Sequence, residues 1–514
     1  LKHPSSYNGA SSASLTQRVA IGAAWLVAGR WGVRLIGMLS TLSLARLLTP
    51  EDFGIVAVAG LVVAILDALT DFRFGQALVR FQNASESEFD TAWTLNVIRG
   101  LIVATILVAG ADLFAKAFGD TRLIPVFRLL GVVALIDGFQ NIGTITFTKD
   151  IRFDLDLRLL LAQKVTTVVV TVLLALMWRT YWAILTGMVV GSAFRLVLSY
   201  TMHQYRPWFN ISATKRLWGF SGWLMASQLI TLLNQRLEQF IIGGVLSPSF
   251  LGIYNVAYEL ASMVTGEIVA PLTQVLFPAY SQIGDDKQRL REAYEKSLQL
   301  IVAIGTPLGV GFAFVAPEFI LLVLGPKWEA AIFPARVLCI MFSIAVIAMA
   351  STSLLPALGR TRDVFRLNAL TFIARLPVTS VAMWQFGFDG AVYSRFAFGV
   401  LWTFQYMIAV RAALGISLTR VLHITWRSYA AVFVMALVLF GIDRLAALSS
   451  RTILSNGSVL ALLAEMLLKC LIGATAYIVA HLLFWQVQGR RDGPERFLIA
   501  TVSASVLRAS RRKR

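Results

Sequence analysis

Leu48-Thr49-Pro50-Glu51-Asp52-Phe53-Gly54-Ile55 and Leu246-Ser247-Pro248-Ser249-Phe250-Leu251-Gly252-Ile253 are two versions of one turn, with Pro50 matched to Pro248 at an offset of 198. In each copy a long apolar segment enters the turn and a second one leaves it. Upstream, Trp25, Leu26 and Ala28 recur as Trp223, Leu224 and Ala226, and Leu35 and Leu39 as Leu233 and Leu237. Downstream, Val58 and Ala59 recur as Val256 and Ala257. The spacing holds without gaps. A repeat of apolar hairpins predicts two similar membrane-embedded halves, a design in which halves rock around a central site.

Composition agrees. Hydrophobic residues make up 57% of the chain and charged ones only 14%, with a mean hydropathy of +0.72. Soluble domains carry about 25% charged residues. Apolar runs of bilayer-spanning length, roughly 17–25 residues, recur along almost the whole chain. Cys339 and Cys470 lie in such runs and suggest no disulfide framework; His3, His203, His423 and His481 are scattered.

The chain reads as all-α, with about fourteen transmembrane helices near 19–47, 53–79, 90–115, 123–147, 156–178, 181–203, 217–245, 251–280, 296–324, 331–357, 365–385, 390–412, 424–446 and 459–486. Turn chemistry separates them at Thr49-Pro50, Phe118-Gly119-Asp120, Ser247-Pro248, Gly325-Pro326, Gly387-Phe388-Asp389-Gly390 and Ser455-Asn456-Gly457. Later parts of the repeat also match. Ile124-Pro125-Val126-Phe127-Arg128 is echoed by Ile332-Phe333-Pro334-Ala335-Arg336, and Lys149-Asp150-Ile151-Arg152-Phe153 by Thr361-Arg362-Asp363-Val364-Phe365. The expected organisation is a polar, disordered segment 1–18, a six-helix bundle 19–203, a linker 204–216 and a second six-helix bundle 217–412. Two added helices in 413–486 and a basic cytoplasmic tail 487–514 complete it.

The net charge of +18 has a pattern that points to a membrane rather than nucleic acid. Lys and Arg favour alternate loops by roughly fourfold, which places both termini in the cytoplasm. The outer loops are short. That disfavours a multispan glycosyltransferase or polymerase, which needs catalytic groups in sizeable loops. No Gly-x-x-x-x-Gly-Lys-Ser/Thr motif provides an ATP site, and no catalytic constellation is legible.

Six plus six helices with two more, the turn Leu47-Leu48-Thr49-Pro50-Glu51-Asp52-Phe53-Gly54, and Ala357-Leu358-Gly359-Arg360 before a helix resemble one family. It is the polysaccharide-transporter (Wzx-type) lipid flippases of the multidrug/oligosaccharidyl-lipid/polysaccharide exporter (MOP) superfamily. The resemblance covers about residues 15–485. It implies a bacterial inner-membrane protein that flips undecaprenyl-diphosphate-linked oligosaccharide units by alternating access, for exopolysaccharide, capsule or O-antigen assembly. It implies no cofactor, and polymerase and glycosyltransferases of the same pathway as partners. A drug/cation antiporter of the same superfamily is the alternative. Its cationic substrates fit an arginine-rich cavity poorly.

Charges within spans are costly and therefore mark candidate sites. Arg30 and Arg34 are four apart, on one face of the first helix and roughly 6 Å apart along its axis. Guanidinium groups suit a diphosphate, which they bind bidentately; snorkelling to headgroups or a structural ion pair is the alternative. The matching helix of the second half carries Asn234, Gln235, Arg236, Glu238 and Gln239, with Asn234 and Glu238 on one face. These suit sugar hydroxyls or an Arg236–Glu238 network. Arg375 and Arg395 are further cavity candidates; Arg99, Lys164 and Arg195 read as snorkelling. Asp67 and Asp71 in the second helix, and Glu259 and Glu267 in the eighth, are candidates for coupling to H⁺ or Na⁺. Their alternative role is pairing with Arg30, Arg34 or Arg73.

The charge bias generates a direct expectation. Reporter fusions after residues 50 and 248 read as outside, and fusions after residues 85 and 285 as inside. An opposite result at either pair refutes the two-repeat topology.

Overall fold

The computed structural model describes residues 15–70, 78, 85–149, 152–284, 286–448 and 459–488. Every regular element among them is helical. In chain order they are α1 (Leu15–Leu47), α2 (Pro50–Thr70), α3 (Glu86–Ala109), α4 (Ala111–Ala117), α5 (Leu123–Gly138), α6 (Ile145–Lys149), α7 (Phe153–Trp178) and α8 (Trp182–Met202). Then follow α9 (Thr214–Val245), α10 (Pro248–Ile283), α11 (Lys287–Phe319), α12 (Ile332–Ala357), α13 (Thr361–Leu414), α14 (Leu418–Leu448) and α15 (Val459–Val487).

Among the described residues nine helices are long and apolar enough to cross a membrane, or ten if the bent pair α5–α6 forms one span. The expected segments 365–385 and 390–412 are two helices within α13, which fold back on each other at Gly387, where φ is 59°; Thr371 Oγ1 donates to Gln405 Oε1 at 2.7 Å and Ser394 Oγ to Thr379 Oγ1 at 3.2 Å across the pair. Glycine takes that positive-φ backbone cheaply, so the predicted turn stands where the sequence places it. Residues 1–14, Asp71, Arg73, Arg80 and the basic tail beyond Gln488 lie outside the described residues.

Local chemistry accounts for the helix starts. Thr49 caps α2: its Oγ1 accepts the Asp52 N–H at 3.2 Å, and Asp52 Oδ2 accepts the Thr49 N–H at 2.9 Å. Pro50 then fills the first helical position, where no N–H is needed. Ser85 and Glu88 make the same reciprocal box at α3. Asp286 accepts from the Gln288 and Arg289 N–H groups, both at 3.1 Å, to start α11.

The chain divides into two compact units. The first comprises Leu1–Leu48 and Ala59–Leu232, the second Thr49–Val58 and Leu233–Arg514. In the first unit α7 and α8 pair closely. Gly187 and Gly191 sit against Thr171 and Thr167, and a Cβ at either glycine would overlap the facing threonine hydroxyl. Small residues one turn apart let membrane helices approach until dispersion contacts are dense. Residues 203–213 fold back onto α3. Asp90 accepts the Trp208 N–H at 2.9 Å and the Tyr205 hydroxyl, Thr94 Oγ1 accepts the Asn210 N–H at 2.9 Å, and Asn141 Nδ2 donates to the Tyr205 carbonyl at 2.8 Å. Burial and the neighbouring Asp90 carboxylate push the Tyr205 phenol well above its ordinary range, so it stays a donor.

In the second unit a buried core joins α11, α12 and α13 through Leu298, Val302, Val346, Leu354 and Val410. The two matched turns meet here. Gly54 lies on the Pro248 carbonyl and Gly252 on the Pro50 carbonyl, and a Cβ on either would overlap the oxygen it faces. Phe53 meets the fully buried Trp328 edge to face, with ring centroids 5.2 Å apart.

The packing of α7 on α8 is testable. Gly187→Val lowers stability by roughly 1–3 kcal/mol through overpacking. Gly60→Ala is neutral, because nothing lies within 4 Å of a Cβ there. Thermal melting of the two purified variants in one detergent checks the contrast.

Candidate functional site

Each unit carries its own polar cluster. In the first, Arg34 is half-buried on α1. One turn further on, the Lys164 stem of α7 passes Gly37, its Cε 3.6 Å from where a Cβ would sit. Lys164 therefore lies along α1. Arg195 Nη1 donates to Gln163 Oε1 at 3.2 Å. Arg99 pairs with Asp67 and donates from Nε to Thr70 Oγ1 at 3.3 Å. Asp67 thus has in Arg99 a partner that the sequence did not name. Arg99 does not simply snorkel: a carboxylate one helix away offers a better partner than distant headgroups. The side chain of Arg30 lies outside the described residues.

Helix α5 adds a residue that sequence reasoning missed. Asp137 accepts from Gln140 Nε2 at 2.7 Å, and its carboxylate faces Ser192, Arg195 and Asp67. Its signal was available as the lone carboxylate in the apolar run 123–147.

The second unit holds a tighter cluster on α9, α10 and α13. Glu238 is 1% exposed and Arg375 3%. Arg375 Nε donates to Glu238 Oε1 at 2.7 Å, Nη2 bonds the same oxygen, and Nη1 donates to the Asn234 carbonyl at 2.7 Å. The other Glu238 oxygen stands 4.0 Å from Arg395 Nη1. Arg395 also lies over the Tyr258 ring, 5.5 Å from its centroid, and donates to its hydroxyl at 3.4 Å. One carboxylate therefore serves two guanidinium groups, which leaves a net positive charge in a low-dielectric interior. Two buried donors beside it, Arg395 Nε and the Tyr254 hydroxyl, have no protein partner among the described residues.

The remaining predicted residues surround this cluster. Asn234 Nδ2 donates to the Asn368 carbonyl at 2.7 Å. Arg236 is exposed and donates to Gln239 Oε1 at 2.8 Å, so it does not pair with Glu238; Gln239 in turn donates to Asn255 at 2.5 Å. Gln235 is exposed. The expectation that Arg375 lines open space is corrected: it is sealed by Glu238, since an unpaired guanidinium so deeply buried would be very costly. Glu259 is half-buried on α10, and the Glu267 side chain lies outside the described residues.

A third cluster also escaped the sequence reading. Lys469 on α15 reaches Glu318 of α11 at 2.6 Å, Asp443 of α14 at 2.6 Å and Glu465 of its own helix at 3.1 Å. It ties the last two helices to α11. Four ionisable residues scattered through apolar runs were the only clue.

The family model described as polysaccharide biosynthesis protein matches residues 43–333. The lipopolysaccharide biosynthesis protein WzxC of Escherichia coli (strain K12) is 25% identical over 418 residues, 80% of this chain and 85% of that protein. The succinoglycan biosynthesis transport protein ExoT of Rhizobium meliloti (strain 1021) is 25% identical over 309 residues, 60% of this chain and 63% of that protein. Among solved structures, the lipid II flippase MurJ in an inward closed conformation superposes with a TM-score of 0.71 at 12% identity, covering 90% of this chain and 99% of its own.

The Glu238 cluster makes a prediction of its own. Glu238→Ala strands two guanidinium groups and destabilises the protein by roughly 3–5 kcal/mol. The double variant Glu238→Leu with Arg375→Met recovers part of that loss, since a buried pair contributes little net stability over apolar residues of similar volume while Arg395 remains without its carboxylate. Melting temperatures of single and double variants decide it.

Proposed function

We propose, from the premise that this chain belongs to the polysaccharide biosynthesis protein family, that it flips polyprenyl-diphosphate-linked oligosaccharide units across a bacterial inner membrane. The protein is a multi-pass membrane transporter of polysaccharide biosynthesis and not an enzyme. The finer reading extends this to undecaprenyl diphosphate as carrier, alternating access as mechanism and both termini in the cytoplasm. It includes fourteen crossings, arranged as two six-helix halves plus two helices.

One observation supports an anionic substrate best. The Arg375–Glu238–Arg395 cluster has one more cation than anion, and the Arg395 Nε and Tyr254 hydroxyl donors beside it lack protein partners among the described residues. Phosphate oxygens match such donors in charge and geometry. Glu238 neutralises one guanidinium and holds Arg375 against α9, so that Arg395 carries the surplus charge. In the first unit, Arg34 and Lys164 would supply a second cationic surface, with Arg30 one turn away on α1. Asn234, Gln235 and Arg236 would meet sugar hydroxyls. The carboxylates Asp67, Asp71, Glu259 and Glu267 remain the proposed carriers of a coupling H⁺ or Na⁺. For Asp67 to exchange an ion, its pairing with Arg99 must loosen.

The test is transport of a lipid-linked oligosaccharide in reconstituted vesicles. Arg395→Ala reduces the flipping rate about tenfold or more, the equivalent of one lost charge-assisted contact. Arg395→Lys restores part of it, because lysine keeps the charge without the fork. Wild-type flipping by Arg395→Ala, at normal protein levels, overturns the assignment of this cluster.

A further inference from the structure

Residues 203–213 follow a helix apolar enough to cross a membrane, α8, which ends at Met202. They lie where the chain leaves the hydrocarbon. The segment is held in shape by Asp90, Thr94 and Asn141, and Thr91 Oγ1 accepts the Ala213 N–H at 3.3 Å. Its outward side is apolar: Trp208 is 77% exposed, Phe209 69% and Ile211 66%. Phe209 is fixed against Trp93, with ring centroids 5.0 Å apart. Large apolar side chains so close together are unfavourable in water but suit the headgroup boundary, where tryptophan is favoured.

Arg206 stands in the same segment. Its guanidinium lies over the Tyr200 ring, 5.7 Å from the centroid. Nη1 donates to the His203 carbonyl at 2.8 Å and the Tyr205 carbonyl at 3.0 Å. These bonds aim the fork while Nε and Nη2 make no bond to the described residues. A groove of about 710 Å³ starts at Arg206, Tyr200 and Thr201 and continues past Leu196, Val197 and Phe139. Leu196 and Val197 are about one turn deeper along α8 than Tyr200 and Thr201. The groove opens outward, with Val197 62% exposed.

We infer that this groove is a seat for an anionic phospholipid of the surrounding leaflet, its phosphate on Arg206 and one acyl chain along Val197 and Phe139. A cation at headgroup level above an apolar slot matches a lipid that is charged at one end only. The outward opening favours a resident membrane lipid over the transported molecule, which must enter and leave the interior of the protein. Trp208, Phe209 and Ile211 seat the segment beside it. The lipid holds the end of α8 and the segment following it at a fixed depth.

The full-length protein, purified in detergent, is supplemented with phosphatidylglycerol, phosphatidylcholine or a polyprenyl phosphate. Retained lipid is then counted by native mass spectrometry. Wild type retains phosphatidylglycerol in preference to phosphatidylcholine. Arg206→Gln lowers phosphatidylglycerol retention roughly tenfold, and Arg206→Lys recovers part of it. Val197→Trp, which fills the slot and leaves Arg206 in place, lowers retention as well. Both positions are exposed, and lipid-free melting temperatures confirm that the variants fold. Undiminished phosphatidylglycerol retention by Arg206→Gln and Val197→Trp overturns the proposal. So does equal retention of phosphatidylcholine by wild type, or displacement of phosphatidylglycerol by the polyprenyl phosphate.

Discussion

A charge in hydrocarbon needs a partner, and this requirement organises the polar interior of the protein. Insertion scales place the cost of a charge at a helix centre at about 2.5–3.5 kcal/mol. The described spans meet it with pairs that cross between helices: Asp67 with Arg99, Glu238 with Arg375, Glu318 with Lys469. Each pair links two helices through a contact that lipid cannot replace. The direction of a helix and the depth at which it sits are set partly by these few contacts, because an apolar side chain packs almost as well against lipid as against protein.

Much of the architecture was legible in the sequence because it rests on local physics. Apolar runs, the Thr49-Pro50 turn and the Gly387 break are decided within a few residues, and each has its counterpart in the fold. The shared face of Asn234 and Glu238 was equally local, a matter of helical period; both side chains bond toward α13. Pairing across helices was not legible. Arg375 and Glu238 are 137 residues apart, and nothing in either neighbourhood names the other. The expected Arg236–Glu238 network failed for a geometric reason: residues two apart on a helix point to different sides. Lys469 and Asp137 were overlooked because single charges in apolar runs look alike until the fold shows which of them converge.

The matched turns meet reciprocally in the second unit. Gly54 accommodates the carbonyl of Pro248, and Gly252 that of Pro50. One contact made twice ties the identity of one position to that of the other. A side chain added at either site cannot be absorbed by its own helix, because a backbone oxygen and not a flexible side chain stands in the way. This accounts in physical terms for the persistence of Pro and Gly at constant spacing while the residues between them differ.

The Lys469 cluster has a consequence for how the chain is made. Glu318 and its ammonium partner are separated by 151 residues. At synthesis rates of about 5–20 residues per second, Glu318 enters the membrane roughly 8–30 s before Lys469 exists. Over that interval the carboxyl has no cation from its eventual partner, and it must stay neutral by holding a proton or stay close to water. Helix α15, by contrast, arrives already carrying Glu465 four residues from Lys469. The late hairpin thus enters as a partly neutralised unit and completes a site that the earlier helix has kept open. Assembly of this corner of the protein is timed by the ribosome as well as by the bilayer.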